Sequence, residues 1–373
     1  MKKKHILIDA RIRQASTGRP VARLLEHLQE IDNEHRYTIL LKKGDDWTPS
    51  NKNFSAIYSR FPLFSFNPLN QVLFAWQLYK QKADLTYFTM TPQQPLFYLK
   101  KQATFTHDLV MFRFARAGRL PEWLHWVRMQ GYRFLMWRAH RIAKHVFVPT
   151  EFVSDDVSKR YLFVNRKISV AYNASEPPLP GKAKTPENPP EEFIMYTGSA
   201  FPHKNLERLI SSFCLLKEHH PEIKLVLVGK REYHSKQLEK WASKTQNAEC
   251  MNDVVFTGFI PDEELKWYYQ NARAYVFPTL SEGFGLPSLE AMVHGCPVVA
   301  SNISCLPEVN GDAAHYFNPE DIQDMAHKID EVISNERLRS KLIKEGYENV
   351  KRFSWRRTAT IQLSKFKELL NED

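Results

Sequence analysis

Short apolar runs with the look of buried strands, among them HILIDA, YTILL, HVFVP, FIMYTG, KLVLVG, VVFTG, AYVFP and PVVAS, alternate along this chain with amphipathic stretches of helical length. Few folds accept that alternation. A parallel strand can reach its neighbour only through a crossover, and the crossover is usually a helix, so the pattern implies a parallel sheet covered on both faces. The pattern occurs in two sets, which predicts an α/β protein of two Rossmann-like, doubly wound domains. Between the sets lies YNASEPPLPGKAKTPENPPEE, residues 172–192, whose prolines can continue neither a helix nor a central strand. We read residues 173–192 as a linker, 1–172 as one domain and 193–353 as the other. The last stretch, about 354–373, places Trp355, Ile361, Phe366, Leu369 and Leu370 at helical spacing. It is expected to rejoin the N-terminal domain, docking across both.

At 373 residues with 43% hydrophobic content, the chain can bury two ordinary cores. No run approaches the roughly 18 apolar residues of a membrane span, and MKKKHILIDA lacks the core of a signal peptide, so the expected compartment is the cytoplasm. Cys214, Cys250, Cys296 and Cys305 have no metal-ligand spacing, which predicts reduced thiols, without zinc or disulfide.

Charge is divided unevenly. Residues 1–175 hold 28 Lys and Arg against 13 Asp and Glu, whereas residues 176–373 hold 24 against 29, so the basic character belongs to the first half. An anionic partner follows, whether lipid headgroup, nucleic acid or acidic glycan. Within residues 100–144, ten cations face two acids and are interleaved with aromatic residues. A helix over about 122–144 would bury Leu124, Val127, Gly131, Leu135 and Ile142, leaving Trp123, Trp126, Arg133, Trp137 and His140 on other faces. Tryptophan beside arginine suits an anionic membrane surface, hence a peripheral enzyme and a lipid-linked acceptor.

Three strand ends carry candidate chemistry. In LSEGFGLPSLEAMVHGCPVVAS, Gly283 and Gly285 permit a tight turn, Pro287 suits a first helical position, and Gly295 suits the residue past the helix end. The helix so defined points its N-terminus, an anion site, at the crevice, with Glu290 in its first turn to accept ribose hydroxyls and Glu282 before it to face a sugar ring. Alone, two glutamates eight apart more often mark a capped surface helix. FIMYTGSAFPHKNLERLI repeats the geometry, however, with Gly198 and Ser199 in a turn and His203 and Lys204 before a helix opening at about Asn205. In VVFTGFIPDEEL the backbone of Phe259 and Ile260 offers a wall for a nucleobase.

These segments, with HGCPVVASNISCLPEV, resemble the C-terminal domain of family 4 glycosyltransferases. That resemblance implies the GT-B fold, two Rossmann-like domains facing a central cleft, and a retaining transfer. It assigns the donor diphosphate to Lys204 and His203, and the sugar and ribose to Glu282 and Glu290, with Gly283, Phe284, Gly285 and Leu286 forming the loop between. His203 departs from the arginine more usual there. In the first half, THDLV matches the family's HD motif, which puts His107 beside the donor sugar and Asp108 on the acceptor side. The shortened loop STGRPVARLL likewise directs Gly18 and Arg19 toward the acceptor.

The expected donor is a GDP-, UDP- or dTDP-sugar, GDP-mannose first, passed to a glycan or lipid-linked acceptor. With no DxD triplet, leaving-group charge falls to Lys204, His203 and helix N-termini, so no metal and no prosthetic group are expected. His107, Lys204 and Glu282 are the residues placed nearest the chemistry. The competing readings are a nucleotide-sugar epimerase of the same fold, a catalytically silent sugar-nucleotide sensor, and a basic nucleic-acid-binding protein. The last is disfavoured by paired glutamates that would repel a phosphate backbone.

Overall fold

The computed structural model describes residues 3–15, 17–63, 65–114, 121–244 and 248–372. The chain divides into two compact units, residues 1–173 with 354–373, and residues 174–353.

In the first unit seven strands, β1 His5–Asp9, β2 Arg36–Lys42, β3 Phe54–Ser59, β4 Leu85–Phe88, β5 Gln102–Phe105, β6 His145–Val148 and β7 Ile168–Val170, lie in the order β3-β2-β1-β4-β5-β6-β7. Every pairing is parallel. Alternate residues of β1 serve opposite faces. Ile6 and Ile8 pack with Leu24 and Leu28 of the helix Arg19–Ile31, while Leu7 joins Phe74 and Leu78 of the helix Pro68–Lys80. The helix Trp355–Asn371 completes the first of these cores with Ala359, Leu363, Phe366 and Leu370. Phe366 is wholly buried, its ring 4.9 Å from Tyr87 and 5.9 Å from Phe147. The chain end therefore rejoins the N-terminal unit.

The second unit holds β8 Phe193–Thr197, β9 Lys224–Val228, β10 Val254–Gly258, β11 Ala274–Phe277, β12 Val298–Ser301 and β13 Ala314–Phe317, ordered β10-β9-β8-β11-β12-β13 and again all parallel. Both sheets are thus doubly wound, reversing direction beside β1 in one and beside β8 in the other.

Three expectations need correction. The segment read as the interdomain linker belongs to the second unit and is bonded to it: Lys266 donates to the carbonyls of Leu179 and Gly181 at 2.8 Å each, and the Leu179 amide donates to His294 Nε2 at 3.0 Å. Cys214 and Cys250 form a disulfide with Cα atoms 5.5 Å apart, while Cys296 and Cys305 are free and buried. The pair are 36 residues apart, a spacing that carries no signal in the sequence.

The third concerns the helix Glu122–Ile142, which buries Met129, Leu135, Met136, Ala139 and His140. Leu124 and Val127 are 37% and 51% exposed. His140 instead lies inside, bonded to Thr106 Oγ1 at 2.9 Å and donating to the Met136 carbonyl at 2.7 Å, and burial pushes its pKa down to about 4. Within residues 100–144, positions 115–120, with Arg116 and Arg119, lie outside the described residues. No described helix is long and apolar enough to cross a membrane.

Candidate functional site

β8 and β11 are hydrogen-bonded neighbours on either side of the point where strand order reverses, so the loops at their carboxyl ends diverge and leave room between them. Each loop is shaped by a positive-φ glycine at which a side chain would be crowded. Gly198 has φ +142°, and a Cβ there would stand 2.7 Å from the Tyr196 hydroxyl. Gly285, at φ +86°, caps the helix Leu286–Val293, and a Cβ would fall 2.6 Å from Leu306 Cδ2.

After Gly198 the chain runs through a short 3-10 turn, Pro202–Lys204, into the helix Leu206–Leu216, with Asn205 left-handed at φ 60° between them. Asn205 fixes that corner. Its amide donates to the carbonyls of Pro278 at 3.0 Å and Pro319 at 2.8 Å, tying the β8 loop to the end of β11. The carbonyl of His203 reinforces the tie by accepting from the Leu280 amide at 2.7 Å and the Thr279 hydroxyl at 3.1 Å. Its ring is only 3% exposed and stacks on Phe201, so His203 is built into the loop wall.

The consequence is a close pair. Lys204 donates its ammonium to Glu282 Oε1 across 78 residues of sequence, with both side chains about one-seventh exposed, at 13% and 15%. The ammonium also lies 5.4 Å from the Phe277 ring centroid. An ion pair this sheltered requires each partner's geometry to be held, since an isolated buried charge is costly. Here Asn205 holds one side and the Gly285 turn the other.

The helix after Gly285 begins at Leu286, which makes Pro287 its second residue and puts Glu290 at the fifth position, past the first turn where sequence placed it. The positive φ of Gly285 ends the loop one residue earlier than proline statistics suggest. Glu290 is partly exposed, and its carbonyl accepts from His294 Nδ1 at 2.7 Å. Gly283 and Phe284 are buried, and the Phe284 ring packs edge-on against Phe353 at 5.4 Å, anchoring the loop inward. Leu286 and Ser199 border the same two loop ends; the Ser199 carbonyl accepts from the Tyr196 hydroxyl at 2.9 Å. Gly295 follows the helix end with φ 74°, as expected.

Beyond β10, Phe259 is 74% exposed and Ile260 partly so, following Gly258 at φ 76°. The Lys230 ammonium stands 5.9 Å from the Phe259 ring centroid. Lys230, Gly198, Gly229 and Gly258 line one opening at the carboxyl ends of β8, β9 and β10. Lys230 was not singled out from sequence, although its signal is the same as that of Ser199, a polar residue directly after a strand-end glycine.

In the first unit, His107 and Asp108 follow β5. The Nε2–H of His107 donates to the Thr89 carbonyl at 2.9 Å, and its ring rests 4.6 Å from that of Phe105. Since a carbonyl only accepts, that bond fixes the tautomer and leaves Nδ1 as an acceptor in the neutral ring. Burial lowers the His107 pKa against the opposing influences of the Thr89 carbonyl and Asp108. Asp108 caps the next turn through Val110 N at 2.9 Å.

Gly18 precedes the helix Arg19–Ile31, where a Cβ would sit 2.1 Å from the Arg13 carbonyl; Arg19 itself is exposed. Also at the end of β1, and unforeseen, Arg11 pairs with Asp9 at 2.7 Å with both side chains buried, while donating to the Pro62 carbonyl at 2.6 Å. Among the described residues, Asp32, Glu34 and His35 are the group whose spacing would suit a metal. Their atoms already serve Tyr37 at 2.5 Å, each other at 2.8 Å and Lys367 at 2.7 Å, at the opposite end of β2 from the loops above.

Two doubly wound parallel sheets, with glycine-shaped loops gathered at a switch point, define a protein of the GT-B fold. Residues 181–349 match the family described as glycosyl transferases group 1. The chain is 36% identical over 183 residues to the serotype-specific mannosyltransferase WbdA of Escherichia coli, covering 48% of this chain and 22% of that one. It is 29% identical over 223 residues to the O-antigen chain mannosyltransferase RfbU of Salmonella typhimurium, covering 60% and 58%. The chain therefore spans about a fifth and somewhat over half of the length of these two relatives. In fold it is similar to WaaG, a glycosyltransferase involved in lipopolysaccharide biosynthesis, with a TM-score of 0.72 at 16% identity over 99% of this chain and 100% of that one.

Proposed function

We propose that this chain is a retaining glycosyltransferase that moves a hexose from a nucleotide-diphosphate sugar, GDP-mannose first, to a glycan or lipid-linked acceptor of a cell-surface polysaccharide or glycolipid. The observation that carries this reading is the sheltered Lys204–Glu282 pair at the β8 and β11 loop ends. A diphosphate entering there takes over the ammonium from Glu282 and frees that carboxylate for a sugar hydroxyl. The same cation then meets the charge that grows on the leaving phosphate. The helix N-terminus at Gly285 adds a second positive element, so the chemistry runs without a metal. Glu290 holds the ribose, and Phe259 and Ile260 border the base. That the relatives carry the names of mannosyltransferases favours GDP-mannose among donors.

The test is a thermal-shift screen of GDP-, UDP- and dTDP-sugars followed by product analysis with a mannose-terminated acceptor. A ligand that binds only the native state raises the melting temperature according to its affinity. GDP-mannose stabilising the chain, and an α-configured product from it, would support the reading. Release of an epimerised sugar from donor alone would replace it with the epimerase.

A further inference from the structure

The helix Pro68–Lys80 is apolar on both sides. Phe74, Ala75 and Leu78 are buried in the first unit, yet Leu69 is 63% and Trp76 57% exposed, with Val72, Leu73 and Tyr79 on the same outward stripe. A helix that is apolar all round is ordinarily enclosed by protein or lipid. The helix Glu122–Ile142 repeats the anomaly, with Trp123 69%, Trp126 63% and Trp137 45% exposed, beside Val127 and Phe134.

The two stripes belong to one surface. Phe66, just before the first helix, presses on Gly131 of the second so closely that a Cβ there would stand 2.7 Å from its ring. The loop 95–99 is clamped between them. On one side Tyr79 donates to the Phe97 carbonyl at 3.2 Å and Gln71 accepts from the Leu96 amide at 2.7 Å. On the other, Arg138 donates to the carbonyls of Pro95 and Leu96. The loop adds Phe97 and Leu99, 53% and 68% exposed. Four of the eight tryptophans in the chain stand exposed here, whereas in the second unit the exposed large apolar residues among those described are Tyr233, Phe259 and Tyr347.

Charge identifies what covers the face. Exposed Lys80, Lys82, Lys100, Arg128, Arg133 and Arg141 lie on or next to these segments, against Glu122 and an Asp84 that is engaged by the His5 amide at 2.7 Å. The Lys80 ammonium lies 3.3 Å above the Trp76 ring. Indole rings with cations at their edge match the headgroup layer of a bilayer, where the ring is half wet and the cation meets lipid phosphate. A protein interface core would instead shed such charges.

We propose that this two-helix face docks the chain peripherally onto an anionic lipid bilayer, with the tryptophans at headgroup depth and the basic rim on lipid phosphates. The attachment is independent of the sugar-nucleotide reading. Sedimentation of the full chain with phosphatidylcholine vesicles, with and without phosphatidylglycerol, tests it. Capture is expected on the phosphatidylglycerol vesicles at low salt, falling roughly tenfold or more at high salt as the cations are screened.

The triple variant Trp76→Ser, Trp123→Ser, Trp126→Ser should lose at least tenfold of that partition with an unchanged melting temperature, because all three side chains are exposed. Arg128→Glu with Arg133→Glu should remove the preference for the anionic vesicles. Absence of capture at low salt, or undiminished capture of the tryptophan variant, overturns the proposal. So does a concentration-dependent oligomer of the unaltered chain that the same three substitutions dissolve, which would make the face a contact between copies.

Discussion

The two units share one sheet plan and differ in what they do with their loops and surfaces. In the second, the strand ends are fixed by positive-φ glycines and by Asn205, so that Lys204 and Glu282 meet with little exposure. In the first, His5, His107, His140 and His145 all have pKa values lowered by burial, and two helices leave apolar stripes in the open. One unit holds a charge pair at its prepared loop ends, and the other keeps several histidines neutral inside while spreading cations beside an apolar exterior. The difference teaches that a common topology constrains where loops gather but not what the faces are for.

Acid should separate the units most sharply. For His140 and His145 the folded pKa, pushed to about 4, lies below the unfolded value of about 6.5, so protons bind the unfolded chain first. Their contribution is fully present above about pH 6.5 and is lost as pH falls toward 4, by up to about 3 kcal/mol each. Hydrogen exchange of the intact chain across that range should show the first unit opening before the second. Simultaneous opening would remove the contrast.

Truncating Phe366 to alanine should cost the first unit ~3–5 kcal/mol, since that ring is wholly buried between Tyr87 and Phe147. Denaturant unfolding followed by exchange would place the loss there and leave residues 174–353 protected. Lys204→Ala should lower turnover by roughly 10²–10³-fold while the fold persists, as for the removal of one preorganised charge-stabilising group. Steady-state kinetics with near-normal turnover would discard Lys204 as the phosphate cation.

The smallest effect is Gly285→Ala. A non-glycine residue at positive φ costs ~1–2 kcal/mol, to which the close approach of Leu306 adds. A lowered melting midpoint with weaker nucleotide binding would sharpen the claim that loop shape positions Glu282.

Much of this plan was legible in the sequence, because buried parallel strands read as continuous apolar runs and strand-end glycines mark turns. The loops at Gly198 and Gly285 and the helix near Asn205 followed from such local signals. What escaped depends on partners distant in sequence. The helix Pro68–Lys80 has apolar residues on every side, so it carries no period to recognise. In the helix Glu122–Ile142 the outward tryptophans and inward Leu135 are as read, but Leu124 and Val127 turn out and His140 turns in, because only distant packing such as the Thr106–His140 bond decides those positions. The Asp9–Arg11 pair, the Cys214–Cys250 bond and the one-residue shift of Glu290 likewise arise from tertiary contacts or turn geometry that no spacing announces.

The helix Trp355–Asn371 has a further consequence for how the molecule comes into being. Residues 174–353 lie wholly within one stretch of chain, but the first unit needs segments separated by all of them. During synthesis the second unit is free to fold as soon as it leaves the ribosome, while the first waits with an open flank along Leu24, Leu28 and Tyr87 until the final turns emerge. Residues 1–173 are thus completed only after the unit that follows them in the chain.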